Sequence, residues 1–135
     1  MIVADTNIIS YFYLTAEYST LAEQLYAHDH DWAVPLLWRS EFRNVLSLYV
    51  RKKIFLLPDA VEIFEAAELL VRNREYEING VQVLRLAQQS GCSAYDCEFV
   101  SLAQDLHVPL VTMDKGILAA FPERAVSLPA FLEKK

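Results

Sequence analysis

The sequence predicts an α/β fold: a three-layer α/β/α sandwich around a central parallel sheet of four to five strands. Three observations carry this. Met1-Ile2-Val3-Ala4 and Pro109-Leu110-Val111-Thr112-Met113 are apolar runs too short for helices, and they read as fully buried strands. Longer segments such as 37–49 and 94–106 place apolar residues at helical spacing. The two kinds of segment alternate, which implies parallel strands covered by helices on both faces.

Residues 1–5 read as the first strand, and Thr6-Asn7 supplies capping chemistry for a short helix to about Leu14. A second helix is predicted over 19–28, with Leu21, Leu25 and Tyr26 facing inward. Trp32-Ala33-Val34 reads as a short strand. A long helix follows from about Leu36 to Arg51, and Pro58 opens another that runs to about Arg74. Tyr76-Glu77-Ile78 reads as a minor strand. Helices at about 80–89 and 94–106 precede a strand near Leu110–Thr112, a short helix after Asp114 and a last strand at Ala125–Leu128.

A chain of 135 residues suffices for one domain with its own core, spanning 1–135. Hydrophobic residues make up 54% and charged residues 22%, which excludes a disordered chain. With 3 Gly and 5 Pro there is no room for a flexible linker. Cys92 and Cys97 lack zinc-finger spacing and read as reduced thiols of a cytoplasmic protein. No apolar run approaches the roughly 18 residues of a membrane span. Asp5 interrupts the first apolar stretch, and no basic segment precedes it, so no signal peptide is expected.

The net charge of −6 argues against nucleic-acid binding by bulk charge. Yet Arg39, Arg43, Arg51, Lys52 and Lys53 gather five of the twelve basic residues on or just beyond one helix. Two readings stay open. The strip contacts a polyanion beside an acidic, metal-loaded pocket, or it is a solvated face whose cations complement the helix dipole.

Four acids stand at chemically useful positions. Asp5 and Asp114 end the two apolar strands, where side chains point into the crevice at the carboxyl end of a parallel sheet. Glu41 shares helical spacing with Leu37, Val45 and Leu48, and Asp96 shares a stripe with Val100 and Ala103. Each acid also has a plainer explanation. Asp5 and Asp114 suit helix N-caps, Ser93-Ala94-Tyr95-Asp96 resembles a capping box, and Glu41 suits the edge of a stripe. Convergence in one crevice is what distinguishes a site. Carboxylates crowded together repel and resist desolvation unless a hard divalent cation is present.

Four segments now line up with a known family. Val3-Ala4-Asp5-Thr6-Asn7, Ser40-Glu41-Phe42-Arg43-Asn44-Val45-Leu46, Tyr95-Asp96-Cys97-Glu98-Phe99-Val100-Ser101-Leu102-Ala103 and Leu110-Val111-Thr112-Met113-Asp114 resemble the PIN-domain ribonucleases, and within them the VapC-type toxins. The resemblance implies that strand one lies beside the strand preceding Asp114. It implies an acidic site of Asp5, Glu41, Asp96 and Asp114, with Asn7 and Thr112 as polar neighbours. It further implies one or two Mg²⁺ or Mn²⁺ ions, endonucleolytic cleavage of RNA, a homodimer and a small antitoxin partner. Two departures stand out: Cys97 replaces the usual Ala, and Gly116-Ile117 stands where some members carry a further acid. Two other classes remain: a PIN-fold nuclease acting in RNA processing or on DNA without an antitoxin, and a noncatalytic interaction module. The run Tyr11-Phe12-Tyr13-Leu14, with Trp38, Phe42 and Tyr49, is expected to leave an apolar contact surface across the first and third helices.

Overall fold

The computed structural model describes residues 1–134. In chain order it runs β1 Ile2–Ala4, α1 Thr6–Tyr13, α2 Ser19–His28, β2 Trp32–Pro35, α3 Trp38–Arg51, α4 Leu57–Leu70, β3 Glu75–Tyr76, α5 Gly80–Ser90, α6 Ala94–Leu106, β4 Leu110–Val111, α7 Lys115–Ala120, β5 Ala125–Val126 and α8 Leu128–Glu133. The five strands form one sheet in the order β3-β2-β1-β4-β5, with every neighbouring pair parallel. β1 lies beside β4, with Val3 opposite Leu110 and Ala4 opposite Val111. The sheet is therefore the predicted one, at the upper end of the expected strand number.

The strand order places the site. From β1 the chain steps outward to β2 and then β3; it returns past β1 to β4 and continues to β5. The direction reverses between β1 and β4, so a crevice opens there at the carboxyl ends of the strands. Right-handed crossovers put the helices of the two halves on opposite faces. One layer links α1 with α2, α3 and α4, and α2 with α8. The other is built on α6, which packs across β1, β2 and β4 beneath α5. Strands this short are held by burial on both faces. Ile2, Val3, Trp32, Val34, Leu110 and Val111 are essentially solvent-free.

Local chemistry sets the helix starts. Asp5, Asn79, Ser93, Asp114 and Ser127 each accept a backbone N–H as N-caps of α1, α5, α6, α7 and α8. Gly91 ends α5 in the left-handed region at φ 76°, where a side chain would strain the backbone.

Three expectations change. Leu128 opens α8 instead of ending a strand, because Ser127 caps it and Pro129 suits its first turn. α4 stops at Leu70, and Arg74 turns back to donate to the Leu70 carbonyl at 2.7 Å. The aromatic run is not an open face. Leu14, Trp38 and Phe42 are buried, and Tyr11, Phe12, Tyr13 and Tyr49 are half-buried against the core. Trp38 stacks on Phe64 of α4 with ring centres 5.7 Å apart. Open apolar side chains lie elsewhere, on the α4 start at Leu56 (74% exposed), Leu57 (65%) and Val61 (48%), and also at Leu69, Val81 and Leu84.

Candidate active site

Asp5 leaves β1 and immediately caps α1, so its carboxylate is held at the mouth of the β1–β4 crevice. Thr6 N–H donates to Asp5 Oδ1 at 2.7 Å. Thr112, at the end of β4, donates its hydroxyl to Asp5 Oδ2 at 2.7 Å, and the Asn7 amide reaches the same oxygen at 3.5 Å. Asn7 also spans the strand ends, donating to Thr112 Oγ1 at 3.4 Å and accepting from Met113 N–H at 3.4 Å. The Thr112 oxygen in turn accepts the Asp114 N–H at 3.0 Å. A continuous hydrogen-bonded path thus joins Asp5 to the backbone of Asp114.

Glu41 lies in the first turn of α3, half-buried, and accepts the Thr6 hydroxyl on Oε1 at 2.7 Å. Thr6 therefore serves two acids, bonding Asp5 through its N–H and Glu41 through its hydroxyl. Sequence reasoning missed this role. Thr6 follows a strand-end acid, but its partner lies 35 positions away. Asp96 occupies the first turn of α6, its N–H bonded to Ser93 Oγ at 3.0 Å. Asp114 Oδ1 accepts Ile117 N–H at 2.9 Å as the cap of α7. The capping explanations of Asp5 and Asp114 are thus real. They fix these carboxylates without neutralising them.

The electrostatics tie the four together. Burial raises the pKa of Asp5 to about 7; the charges of Glu41 and Asp96 push the same way, while bonds from Thr112 and Thr6 oppose them. Glu41 is raised by burial, then by Asp96 and Glu98, against the Thr6 bond. Asp96 is raised by burial and by the charge of Asp114, against Ser93. Glu98 is a second residue that sequence reasoning overlooked; it is half-buried on α6, and its charge acts on Glu41. Among the described residues none of the four acids joins an ion pair. Carboxylates coupled in series, Asp5 with Glu41 and Asp96, Glu41 with Asp96, and Asp96 with Asp114, and without an ion-pair partner among the described residues, suit an external cation. Among the described residues, no group of three or more His, Cys, Asp or Glu side chains is drawn tightly enough to cage a metal. An all-oxygen donor set of this kind still fits Mg²⁺, which is commonly held by one or two carboxylates plus waters and phosphate.

Gly116 packs closely under the Asp114 carboxylate. A Cβ there would lie 3.2 Å from Asp114 Oδ1, so a larger residue would crowd the capping carboxylate.

The basic strip divides. Arg39 is engaged elsewhere: it bonds Glu75 through Nε at 2.6 Å and Nη2 at 2.7 Å, and Glu68 through Nη1 at 3.1 Å. Three hydrogen bonds to two carboxylates therefore occupy its guanidinium, while the side chain is still 39% exposed. Arg43 lies over the Phe64 ring at 5.5 Å, and its Nη2 donates to Ser40. Arg51, Lys52 and Lys53 are exposed at the far end of α3, about 15 Å along the helix axis from Glu41. A groove of about 510 Å³ runs between α3 and α4, with an apolar floor of Leu46, Val50, Leu57, Val61 and Phe64 edged by Arg43, Arg51 and Glu65; none of the four acids lines it.

Comparison with known proteins bears on the fold and the family. Comparison with curated protein sequences gave no significant match. Among solved structures, the fold is similar to PAE2754 from Pyrobaculum aerophilum, with a TM-score of 0.77 and 22% identity over 99% of this chain and 97% of that one. It is similar to a chain of a toxin–antitoxin complex from Klebsiella pneumoniae, with a TM-score of 0.71 and 16% identity over 95% of this chain and 98% of that one. FitAcB from Neisseria gonorrhoeae gives a TM-score of 0.70 and 17% identity over 95% and 98% of the two chains. At these identities the likeness is one of fold. The family described as PIN domain matches residues 2–122, which is most of the sequence. The chain belongs to the PIN-domain family.

Proposed function

We propose that the chain is a metal-dependent endoribonuclease, the toxin of a toxin–antitoxin pair. PIN domains are generally nucleases. The observation that carries the reading is the electrostatic chain of Asp5, Glu41, Asp96 and Asp114: burial raises the first three, Glu41 and Asp96 add to Asp5, Asp96 adds to Glu41, and Asp114 adds to Asp96, with no ion-pair partner for any of them among the described residues. One or two of these carboxylates, with waters and substrate phosphate, would hold Mg²⁺ or Mn²⁺. Bound there, a divalent ion supplies charge neutralisation for a phosphodiester and activation of water.

The chain's own residues prepare the site. Thr6 and Thr112 fix both oxygens of Asp5, and Thr6 fixes Oε1 of Glu41. Glu41 Oε2 accepts no hydrogen bond among the described residues, so it is free to bind a cation or take a proton from attacking water. Tyr95, 64% exposed beside Asp96, offers a ring on which an unpaired base can stack.

The partner reading draws on the α3–α4 groove. Its apolar lining, with Leu57 and Val61 at the surface, suits the apolar face of an antitoxin helix. A basic side chain from the same partner would neutralise the acids and compete with the metal. The reading includes a homodimer and a cytoplasmic setting. Among the described residues no helix is long and apolar enough to cross a membrane.

The deciding experiment incubates RNA with purified protein in Mg²⁺, in Mn²⁺ and in chelator, beside Asp5→Asn. Internal cleavage that needs metal and Asp5 is expected; cleavage insensitive to both would refute the reading. Single-stranded DNA in parallel separates ribonuclease from general nuclease action.

A further inference from the structure

The acidic site leaves two thiols unused. Cys92 and Cys97 are both free. Ser93 is the N-cap of α6, so Cys92 directly precedes the cap and Cys97 is the fourth helical residue. These are the two positions, before the cap and fourth in the helix, that a hydrophobic staple brings together across the first turn. One hydroxyl joins the pair: Ser90 Oγ accepts Cys92 N–H at 3.0 Å and lies 3.8 Å from Cys97 Sγ. The electrostatic influence of Cys92 on Cys97 agrees with this closeness. Cys97 is buried, whereas Cys92 is partly open. Cys92 Sγ also lies 3.9 Å from the Gly116 carbonyl in α7. The bracketed turn carries Asp96, and the Cys92 contact reaches the helix that Asp114 caps.

We propose that Cys92 and Cys97 form a reversible intrachain disulfide, a modification site that clamps the first turn of α6 and displaces Asp96 from its place opposite Asp114. Peroxide is the oxidant class. The partly open Cys92 sulfur attacks one peroxide oxygen; the O–O bond breaks, giving a sulfenic acid and water. The Cys97 sulfur then attacks the Cys92 sulfur; the S–O bond breaks, and the hydroxyl leaves as water with the Cys97 proton. Two thiols are oxidised by two electrons in total, and one peroxide becomes two waters. Forming an S–S bond of about 2.05 Å draws the two positions together beyond staple contact. It breaks the Ser90–Cys97 contact and pulls Cys92 from Gly116. A thiol or thioredoxin-type dithiol restores the open form. The effect on Asp96 rests on the metal-site reading above; the disulfide itself does not.

The test treats the reduced, full-length chain with hydrogen peroxide, blocks remaining thiols with N-ethylmaleimide and reads intact mass and peptide maps. A monomeric chain with no alkylated thiol and a linked Cys92–Cys97 peptide is expected, reversed by dithiothreitol. Cys92→Ser and Cys97→Ala should each fail to form an intrachain link. Two alkylated thiols after peroxide, or a link only between chains, overturns the proposal. Calorimetric titration with Mn²⁺ reads the displacement: the oxidised chain should bind about tenfold more weakly, and Cys92→Ser should ignore peroxide. Equal Mn²⁺ affinity in both redox states overturns the displacement of Asp96. No Mn²⁺ binding in either state overturns the metal site and leaves the disulfide to the mass measurement.

Discussion

Thr112 and Asp5 stand 107 positions apart in the chain and are joined by a 2.7 Å hydrogen bond from the threonine hydroxyl to Asp5 Oδ2. Both are buried, and the same hydroxyl oxygen accepts the Asp114 N–H. The bond exists because β1 and β4 are adjacent and in parallel register. Thr112→Val keeps the shape and removes both roles. Asp5 would then rely on the Thr6 N–H and the long Asn7 contact. Losing an orienting partner of this kind should reduce cleavage about 10- to 100-fold. Leaving buried polar groups unpaired should cost about 1–3 kcal/mol. Wild-type turnover in the purified variant would show that Thr112 orients nothing.

Asp5→Asn should abolish cleavage while the metal-free protein keeps or gains thermal stability. Burial and two neighbouring charges oppose ionisation of Asp5, so a neutral amide relieves repulsion in the absence of metal. Mg²⁺ should raise the melting temperature of the wild type and leave that of the variant nearly unchanged. A large loss of metal-free stability would instead make Asp5 chiefly a helix cap.

How far the sequence reveals the site depends on the range of each contact. Asp5 and Asp114 were legible because each ends a short apolar strand, and parallel strands send their ends to one crevice. Asp96 was legible as a first-turn residue, although the Ser93 cap alone did not reveal that it would meet Asp114 electrostatically. The Thr6–Glu41 bond was invisible, because it depends on how α3 packs against α1. The Arg39–Glu75 pair was invisible for the same reason: Glu75 lies on a two-residue strand whose position follows only from the sheet order. α8 has six residues, too few to display a helical period.

The Arg39–Glu75 pair predicts an acid-limb effect on stability. Bonds from Arg39, then Trp38, lower the pKa of Glu75 below its ordinary 4.5 against some desolvation. A carboxylate with a lowered folded pKa contributes stability above its unfolded value and loses it as pH falls through the folded one. The window therefore opens near pH 4.5 and extends downward. The raised acids of the site act in the opposite sense, so the informative quantity is wild type minus Glu75→Gln. That difference in urea-unfolding free energy should be about 1 kcal/mol at neutral pH, discounted for the partial exposure of Arg39, and shrink below pH 4.5. A difference constant through the acid range would exclude ionisation of Glu75 as its source.

Tyr95 tests the substrate class. Stacking on an unpaired base is worth about 1–3 kcal/mol. Tyr95→Ala should therefore raise KM for single-stranded RNA about 5- to 100-fold, with little change in kcat. Tyr95→Phe should restore it, since the ring face is what binds. An unchanged KM in Tyr95→Ala would leave the exposed ring without a role in the substrate channel.

The α3–α4 groove separates the toxin reading from a nuclease that works alone. Leu57 and Val61 are exposed, one turn apart on α4, and face the groove with Leu46, Val50 and Phe64. Surface residues of this kind contribute little to folding, so Leu57→Glu with Val61→Glu should leave the melting temperature nearly unchanged. The groove lies apart from the acids, so RNA cleavage by the isolated variant should also be unchanged. If an antitoxin helix docks there, replacing two apolar contacts by carboxylates should weaken its binding by about tenfold or more, even where Arg43 or Arg51 at the groove edge pairs with them. Inhibition by a co-expressed partner should then be weaker for the variant, and high Mg²⁺ should weaken inhibition of the wild type by competing with the partner's basic side chain. Retained tight inhibition would move the partner to another face. A wild-type chain that copurifies with no partner and is tolerated on expression would favour an RNA-processing role without an antitoxin.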